Sequence, residues 1–225
     1  MVAASVTGGS RVSRYRRRRP YPALIVLLVL GVTTIVVWSK VVHGVADVDT
    51  ATRCNPPHTS GPGLGQVLPH DALDRTTPMP AAQARVRVLN ASSQRGQATR
   101  LAESLQEFGF PQAADPDNDP LYPDGDLSCR GQLRFGANGA GAARTLSLLA
   151  PCFELVRDNR QDATVDMVVG KKFDQLLPND SARKALDQLA AWHAQQPDQH
   201  GGQQAQGGQP AIDPALLAAA RDAEC

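Results

Sequence analysis

Short stretches of the chain alternate apolar and polar residues, and longer ones repeat an apolar residue every third or fourth position. Val86 and Val88 alternate with Arg85 and Arg87. "GQLRF" from Gly131, "FELVR" from Phe153 and "TVDMVVG" from Thr164 alternate in the same way. This period of two predicts strands. Between them, "GQATRLAESLQEFGF" sets Ala98, Leu101, Ala102, Leu105 and Phe108 on one helical stripe, with Gly109 as its stop. "GANGAGAARTLSLLA" turns through glycines into a second helix, with Ala142, Leu146 and Leu149 on one face. A short strand fits near Gln112 in the long Pro/Asp loop, and a third helix fits 181–193. The order β-α-(β)-β-α-β-β over 84–195 predicts a two-layer α/β sandwich.

The alternation also sorts faces. Val86 and Val88, Leu133 and Phe135, Phe153 and Leu155, and Val165, Met167 and Val169 share one face, which the helices should cover. The other face then carries Arg85, Arg87, Leu89, Arg134, Glu154, Val156, Asp166 and Val168. A mixed charged and apolar face suits a binding surface, so Arg85, Arg87, Arg134, Glu154 and Asp166 are its candidate residues; the plainer alternative is an ordinary solvated face.

Ahead of this domain, "ALIVLLVLGVTTIVVWS" runs from Ala23 to Ser39 without a charge. Continued through Val42, it predicts a transmembrane helix over 21–42. A run of that length exceeds the apolar core of a signal peptide, despite the small residues Gly44-Val45-Ala46 beyond it. Arg11, Arg14 and Arg16 to Arg19 make 1–20 a basic tail that belongs in the cytoplasm by the positive-inside rule. The expected topology is single-pass in the plasma membrane, with the rest extracytoplasmic. Residues 43–83 read as an extracytoplasmic linker and 196–210 as a disordered Gln/Gly linker. Residues 211–225 read as a C-terminal helix, capped by Asp213 with Pro214 in its first turn.

Net charge is +1, but beyond the tail 17 basic residues face 22 acidic ones. A mildly acidic body gives no reason to expect nucleic acid. Candidate chemistry is sparse. The strand-to-helix turn Asn90 to Gly96 has the outline of a phosphate cradle, yet lacks the G-K-[ST] of a P-loop and the G-x-G-x-x-G of a dinucleotide site. A tight corner is the simpler reading, and steric freedom also accounts for the glycines of "GANGAG". Asp115, Asp117, Asp119 and Asp126 imitate calcium-loop spacing, but Pro120 stands where that loop needs glycine. His58 and His70 are too isolated for a metal. No catalytic residue, metal or cofactor is expected.

"VRVLNASSQRGQATRLAESLQEFGF" resembles the strand–turn–helix that opens the LytR C-terminal domain. "LRFGANGAGAARTLSLLAP" and "VDMVVGKKF" resemble that domain's second strand–helix unit and closing strand. The likeness covers 84–173. In the larger LytR-CpsA-Psr proteins the domain is an appendage, and glycopolymer transfer to peptidoglycan belongs to a separate domain. The segment between Val42 and Ala84 is too short to supply one. The resemblance therefore implies a non-catalytic envelope integrity factor. Its expected partners are a cell-wall component or envelope proteins, LytR-CpsA-Psr proteins among them. The alternative is an enzyme or accessory subunit in glycopolymer transfer.

Four cysteines outside the membrane, in an oxidising compartment, predict disulfides. Cys129 precedes one strand and Cys152 begins another, and a helix joins the two. A right-handed crossover makes the strands parallel, with their starts at one edge of the sheet. The expected bonds are therefore Cys129–Cys152 and Cys54–Cys225; the alternative leaves Cys225 free or paired between chains.

Overall fold

The computed structural model describes residues 21–58, 64–195, 210–223 and 225. The basic tail 1–20 and nearly all of the linker 196–210 lie outside the described residues. Contacts divide the chain into two compact units at His43–Gly44. Helix α1, Tyr21–Thr52, crosses that division. From Leu24 to Trp38 its large apolar side chains are exposed. That described stretch extends roughly 22 Å at ~1.5 Å per residue, short of a ~30 Å hydrocarbon core. Among the described residues no helix is long and apolar enough to cross a membrane.

The second unit is built on a six-stranded sheet: β1 (Gln66–Leu68), β2 (Arg85–Asn90), β3 (Asp117–Asn118), β4 (Gly131–Phe135), β5 (Glu154–Arg157) and β6 (Thr164–Val169), in the order β1-β5-β4-β6-β2-β3. Helix α2 (Gln97–Glu107) links the parallel pair β2 and β3, and α3 (Ala140–Leu149) links the parallel pair β4 and β5. The two βαβ units meet through β6, parallel to β2 and antiparallel to β4. Helix α2 ends in a Schellman motif. Gly109 takes φ 83°, its N–H donates to Gln106, and the Phe110 N–H reaches Leu105. Helices α4 (Asp180–Ala194) and α5 (Pro214–Ala220) complete the unit, capped by the Asn179 and Asp213 side chains.

The helical face forms as the alternation requires. Val86, Val88, Leu133, Phe135, Phe153, Leu155, Val165, Met167 and Val169 lie in one buried cluster with the apolar stripes of α2 and α3. Helix α3 is buried on more than one side, because Leu148 packs outward onto Ala182, Ala185 and Ala220 of α4 and α5. Gly131 fits where β4 runs under this cluster; a Cβ there would meet the Val168 carbonyl at 2.3 Å and the Phe153 ring at 2.4 Å.

Three expectations need correction. First, 43–83 is not a free tether. Its β1 pairs antiparallel with β5, and Leu73 is buried in the main cluster. Three residues of edge strand are too short to show a period. Second, the disulfides are Cys54–Cys129 and Cys152–Cys225, with Cα separations of 4.9 and 5.3 Å. β4 and β5 are parallel, as the crossover argument holds. But their register, Gln132 beside Glu154, sets Cys152 level with Arg130 rather than Cys129. A one-residue offset turns a side chain to the opposite face. Cys129 and Cys54 join the cluster of Leu89, Tyr122, Leu127 and Val168, on the face away from the helices. Third, that face is covered. The sheet is not an open two-layer sandwich, because residues 119–128 and 53–57 lie across its second side.

Peptide mapping of the unreduced chain should return Cys54–Cys129 and Cys152–Cys225. Replacing Cys54 and Cys129 by serine together should lower urea stability by about 2–4 kcal/mol, since the bond closes a loop of 75 residues. A peptide joining Cys129 to Cys152 would contradict the assignment.

Candidate functional site

Charged side chains on the second sheet face are held by a polar chain that runs across the strands. The Arg134 guanidinium grips Asp119 with two bonds, Nη1–Oδ1 at 3.0 Å and Nη2–Oδ2 at 2.7 Å, and both side chains are buried. Arg134 Nε also donates to Gln132 Oε1 at 2.8 Å. Gln132 Nε2 donates to Glu154 Oε2 at 2.7 Å, and the Cys54 backbone N–H donates to Glu154 Oε1 at 3.2 Å. The Tyr122 ring lies 5.7 Å from the Arg134 guanidinium carbon, and its hydroxyl donates to the Asn55 carbonyl at 2.6 Å. Asn55 Oδ1 in turn accepts from the Ser128 N–H. The Cys54–Cys129 strap and the 119–128 loop are thus stitched to each other and to the floor beneath them.

Burial sets the electrostatics. It pushes the Glu154 carboxyl above the ordinary range, partly offset by the bonds from Gln132 and Cys54. It pushes the Tyr122 phenol up to about 12. Between strap, loop and β1 remains a cleft of about 350 Å³, floored by Gln132, Arg134 and Glu154 and walled by Pro56, Val67 and Tyr122.

The candidate binding residues therefore separate. Arg134, Glu154 and Asp166 are 5%, 4% and 3% exposed and do not form an open surface. Their neighbours explain this: Leu89, Val156 and Val168 on the same face have to be covered, and the cover takes the charges with them. Arg85 and Arg87 stay exposed on β2. Arg87 forks onto Asp166 at 2.8 and 2.9 Å, and Arg160 reaches the same carboxylate at 2.7 Å while holding Asp158. Burial alone would raise the Asp166 carboxyl; the bonds from Arg87 and Arg160 outweigh it and hold it below the ordinary range. The sequence reading missed Gln132, Tyr122 and Arg160, and weighed Asp119 only as part of a calcium-like spacing rather than as the partner of Arg134. The pair Leu121-Tyr122 inside an otherwise polar Asp/Pro loop is the signal that this loop packs onto something.

The Asn90–Gly96 turn is a corner. Asn90 Oδ1 accepts from the Ser92 N–H, Ser92 Oγ accepts from the Gln94 N–H, and Asn90 Nδ2 donates to the Gln94 carbonyl. Buried Gln97 bonds the Ser92 hydroxyl and donates to the Phe173 carbonyl. The covering loop docks here, the Leu127 N–H on the Ala91 carbonyl, with Gly125 so close that a Cβ would meet the Ser92 carbonyl at 2.6 Å. The aspartates do not converge either: Asp119 is committed to Arg134, and Asp126 pairs with His58 at 2.6 Å. Among the described residues no cluster of His, Cys, Asp or Glu is arranged to hold a metal.

Two βαβ units that meet through β6 define a mixed α/β domain. Residues 83–173 match the LytR cell envelope-related transcriptional attenuator family, and the chain belongs to that family. It is 38% identical over 196 residues to the cell envelope integrity protein Cei of Mycobacterium tuberculosis, a match spanning 84% of this chain and 90% of that protein. The crystal structure of the soluble domain of a conserved hypothetical secreted protein from Mycobacterium marinum aligns with a TM-score of 0.59 and 35% identity. That alignment takes in 72% of this chain and 98% of that one. The chain is an envelope-related protein.

Asp166→Asn tests the second ion cluster. A carboxyl held below its unfolded pKa stabilises the fold above that value and loses the effect as pH falls through its folded pKa. At pH 7 the variant should lose about 2–3 kcal/mol in urea denaturation. The gap to the parent should narrow as pH drops below the ordinary carboxylate range. A gap that widens in acid would contradict the pairing.

Proposed function

We propose that the chain is a non-catalytic factor, anchored in the plasma membrane with its N-terminus in the cytoplasm, that maintains envelope integrity by binding a cell-wall component or an envelope protein outside the cell. The exposed apolar run from Leu24 to Trp38, continued in sequence from Ala23 to Val42, supports the anchor. Two disulfides support the extracytoplasmic side, because such bonds persist in oxidising compartments. The name of the Mycobacterium tuberculosis relative supports the envelope role.

The observation that carries the non-catalytic reading is the state of the cleft floor. Arg134, Gln132 and Glu154 spend their hydrogen bonds on Asp119, on one another and on the Cys54 N–H. Transfer chemistry needs a nucleophile beside a free base, and these groups hold each other. A proline and tyrosine wall over a polar floor suits binding instead. It matches a neutral group with an apolar face and hydroxyl or amide edges, as a cell-wall glycan presents.

Complementation of a strain lacking the protein tests this. Val67→Arg, at the partly exposed cleft wall, should express, fold and reach the membrane yet fail to restore resistance to envelope stress. Glu103→Arg, on the exposed side of α2, should restore it fully. Full rescue by Val67→Arg would overturn the cleft as the binding site. Turnover of a lipid-linked pyrophosphate substrate by the purified chain would overturn the non-catalytic reading. Alkaline phosphatase fused after Thr52 should be active; an inactive fusion would overturn the topology.

A further inference from the structure

Away from the cleft, two buried arginines share one carboxylate. Arg144 stands in the middle of α3 and is 2% exposed; Arg221 follows α5 and is 8% exposed. Both donate to the same atom, Asp74 Oδ1, Arg144 at 2.9 Å. The Asp74 side chain is itself half exposed, so water weakens what it offers. Among the described residues Asp74 is the one carboxylate paired with either arginine. His70, whose carbonyl accepts from Arg221, has its imidazole held below the ordinary range by burial and by Arg221, and so stays neutral at pH 7. Asp49 reaches His70 through the backbone N–H rather than either guanidinium. Both arginines also keep a buried Nε without a hydrogen-bond partner among the described residues. Burying a charge in excess is costly unless something answers it.

Arg144 lines a cavity of about 260 Å³ between the Asp74–Pro78 loop and α5. Its polar lining is Asp74, Arg75, Thr76, Thr77 and Arg144; its rim is Pro78, Ile212, Pro214 and Leu217. Burial and the repulsion of Arg221 both act against the charged form of Arg144, so an anion placed here would offset the repulsion and give the buried cation a partner. A phosphate monoester carries about −1.5 to −2 at pH 7 and presents three acceptor oxygens, enough to reverse the excess of one positive charge. Guanidinium geometry matches it.

We propose that this cavity binds a phosphoryl group, with Arg144 as its contact and Arg221 as the charge behind it. The group is either free phosphate or the phosphate-monoester head of a lipid, whose neck the apolar rim would accept. The site is separate from the cleft over Gln132 and does not depend on that reading.

Calorimetric titration of the full chain in neutral detergent, at fixed ionic strength, tests the proposal with inorganic phosphate. Binding should saturate with a one-to-one stoichiometry. Arg144→Met should weaken it at least tenfold. Asp74→Asn, which removes the competing carboxylate and keeps both arginines, should tighten it about threefold or more. A merely structural role for the ion pairs would move Asp74→Asn the other way, and that variant keeps the test valid if Arg144→Met fails to fold. Titration with dihexanoyl phosphatidic acid, against dihexanoyl phosphatidylcholine, separates the two sources. Phosphate alone marks a soluble ligand; both phosphate and phosphatidic acid mark a lipid head. Absence of saturable binding, equal binding in parent and Arg144→Met, or weaker binding in Asp74→Asn would each overturn the proposal.

Discussion

The grip of Arg134 on Asp119 decides what the second side of the sheet becomes. An arginine in the middle of β4, on the same sheet face as Leu89, Val156 and Val168, cannot be left dry and alone. The two-pronged bond to Asp119 answers it, Gln132 adds another acceptor, and the Tyr122 ring lies against the guanidinium. Each of these partners except Gln132 comes from the 119–128 loop. The charge therefore draws a long, proline-rich loop onto the sheet that its composition alone would leave in water. The Cys54–Cys129 bond then fixes the strap 53–57 beside it.

What remains uncovered follows from this closure. A cleft survives where loop, strap and β1 fail to meet, and its floor is the same polar chain that holds the cover down. In the proposed site, binding residues and structural residues thus overlap, which is why its floor holds no spare base. On the other side of the sheet, α3 is packed between the strands and the α4–α5 pair, and this carries Arg144 into the interior. The Cys152–Cys225 bond ties the chain's end to the start of β5, next to the helix that Arg144 belongs to.

Elements with a strong period were legible in the sequence. The strands β2, β4, β5 and β6, the helices α2, α3, α4 and α5, and the sorting of residues onto the helical face all follow from periods of 2 and 3.6, and from Gly109, Asp213 and Pro214. Elements made by tertiary contact were not. β1 has three residues and exists because β5 has a free edge. β3 has two, beside Leu89 and Asn90 at the end of β2, while near Gln112, where the sequence predicts a short strand, the described residues form an isolated bridge to Val86. The fate of Arg134, Glu154 and Asp166 depended on a cover more than a strand away in sequence. The apolar members of their own face, Leu89, Val156 and Val168, already implied that cover, but they did not say which segment would supply it. The disulfide partners turned on a single-residue offset between Cys129 and Arg130, finer than element boundaries read from sequence.

A double-mutant cycle on Arg134 and Asp119 tests the central claim most directly. Urea stability is measured for the parent, Arg134→Met, Asp119→Asn and the double variant, with hydrogen exchange followed over 119–128. If the pair holds the cover, each single substitution costs about 3–5 kcal/mol and speeds exchange in that loop, and the double variant costs no more than the worse single one. Additive losses, or single variants that leave exchange in 119–128 unchanged, would contradict it.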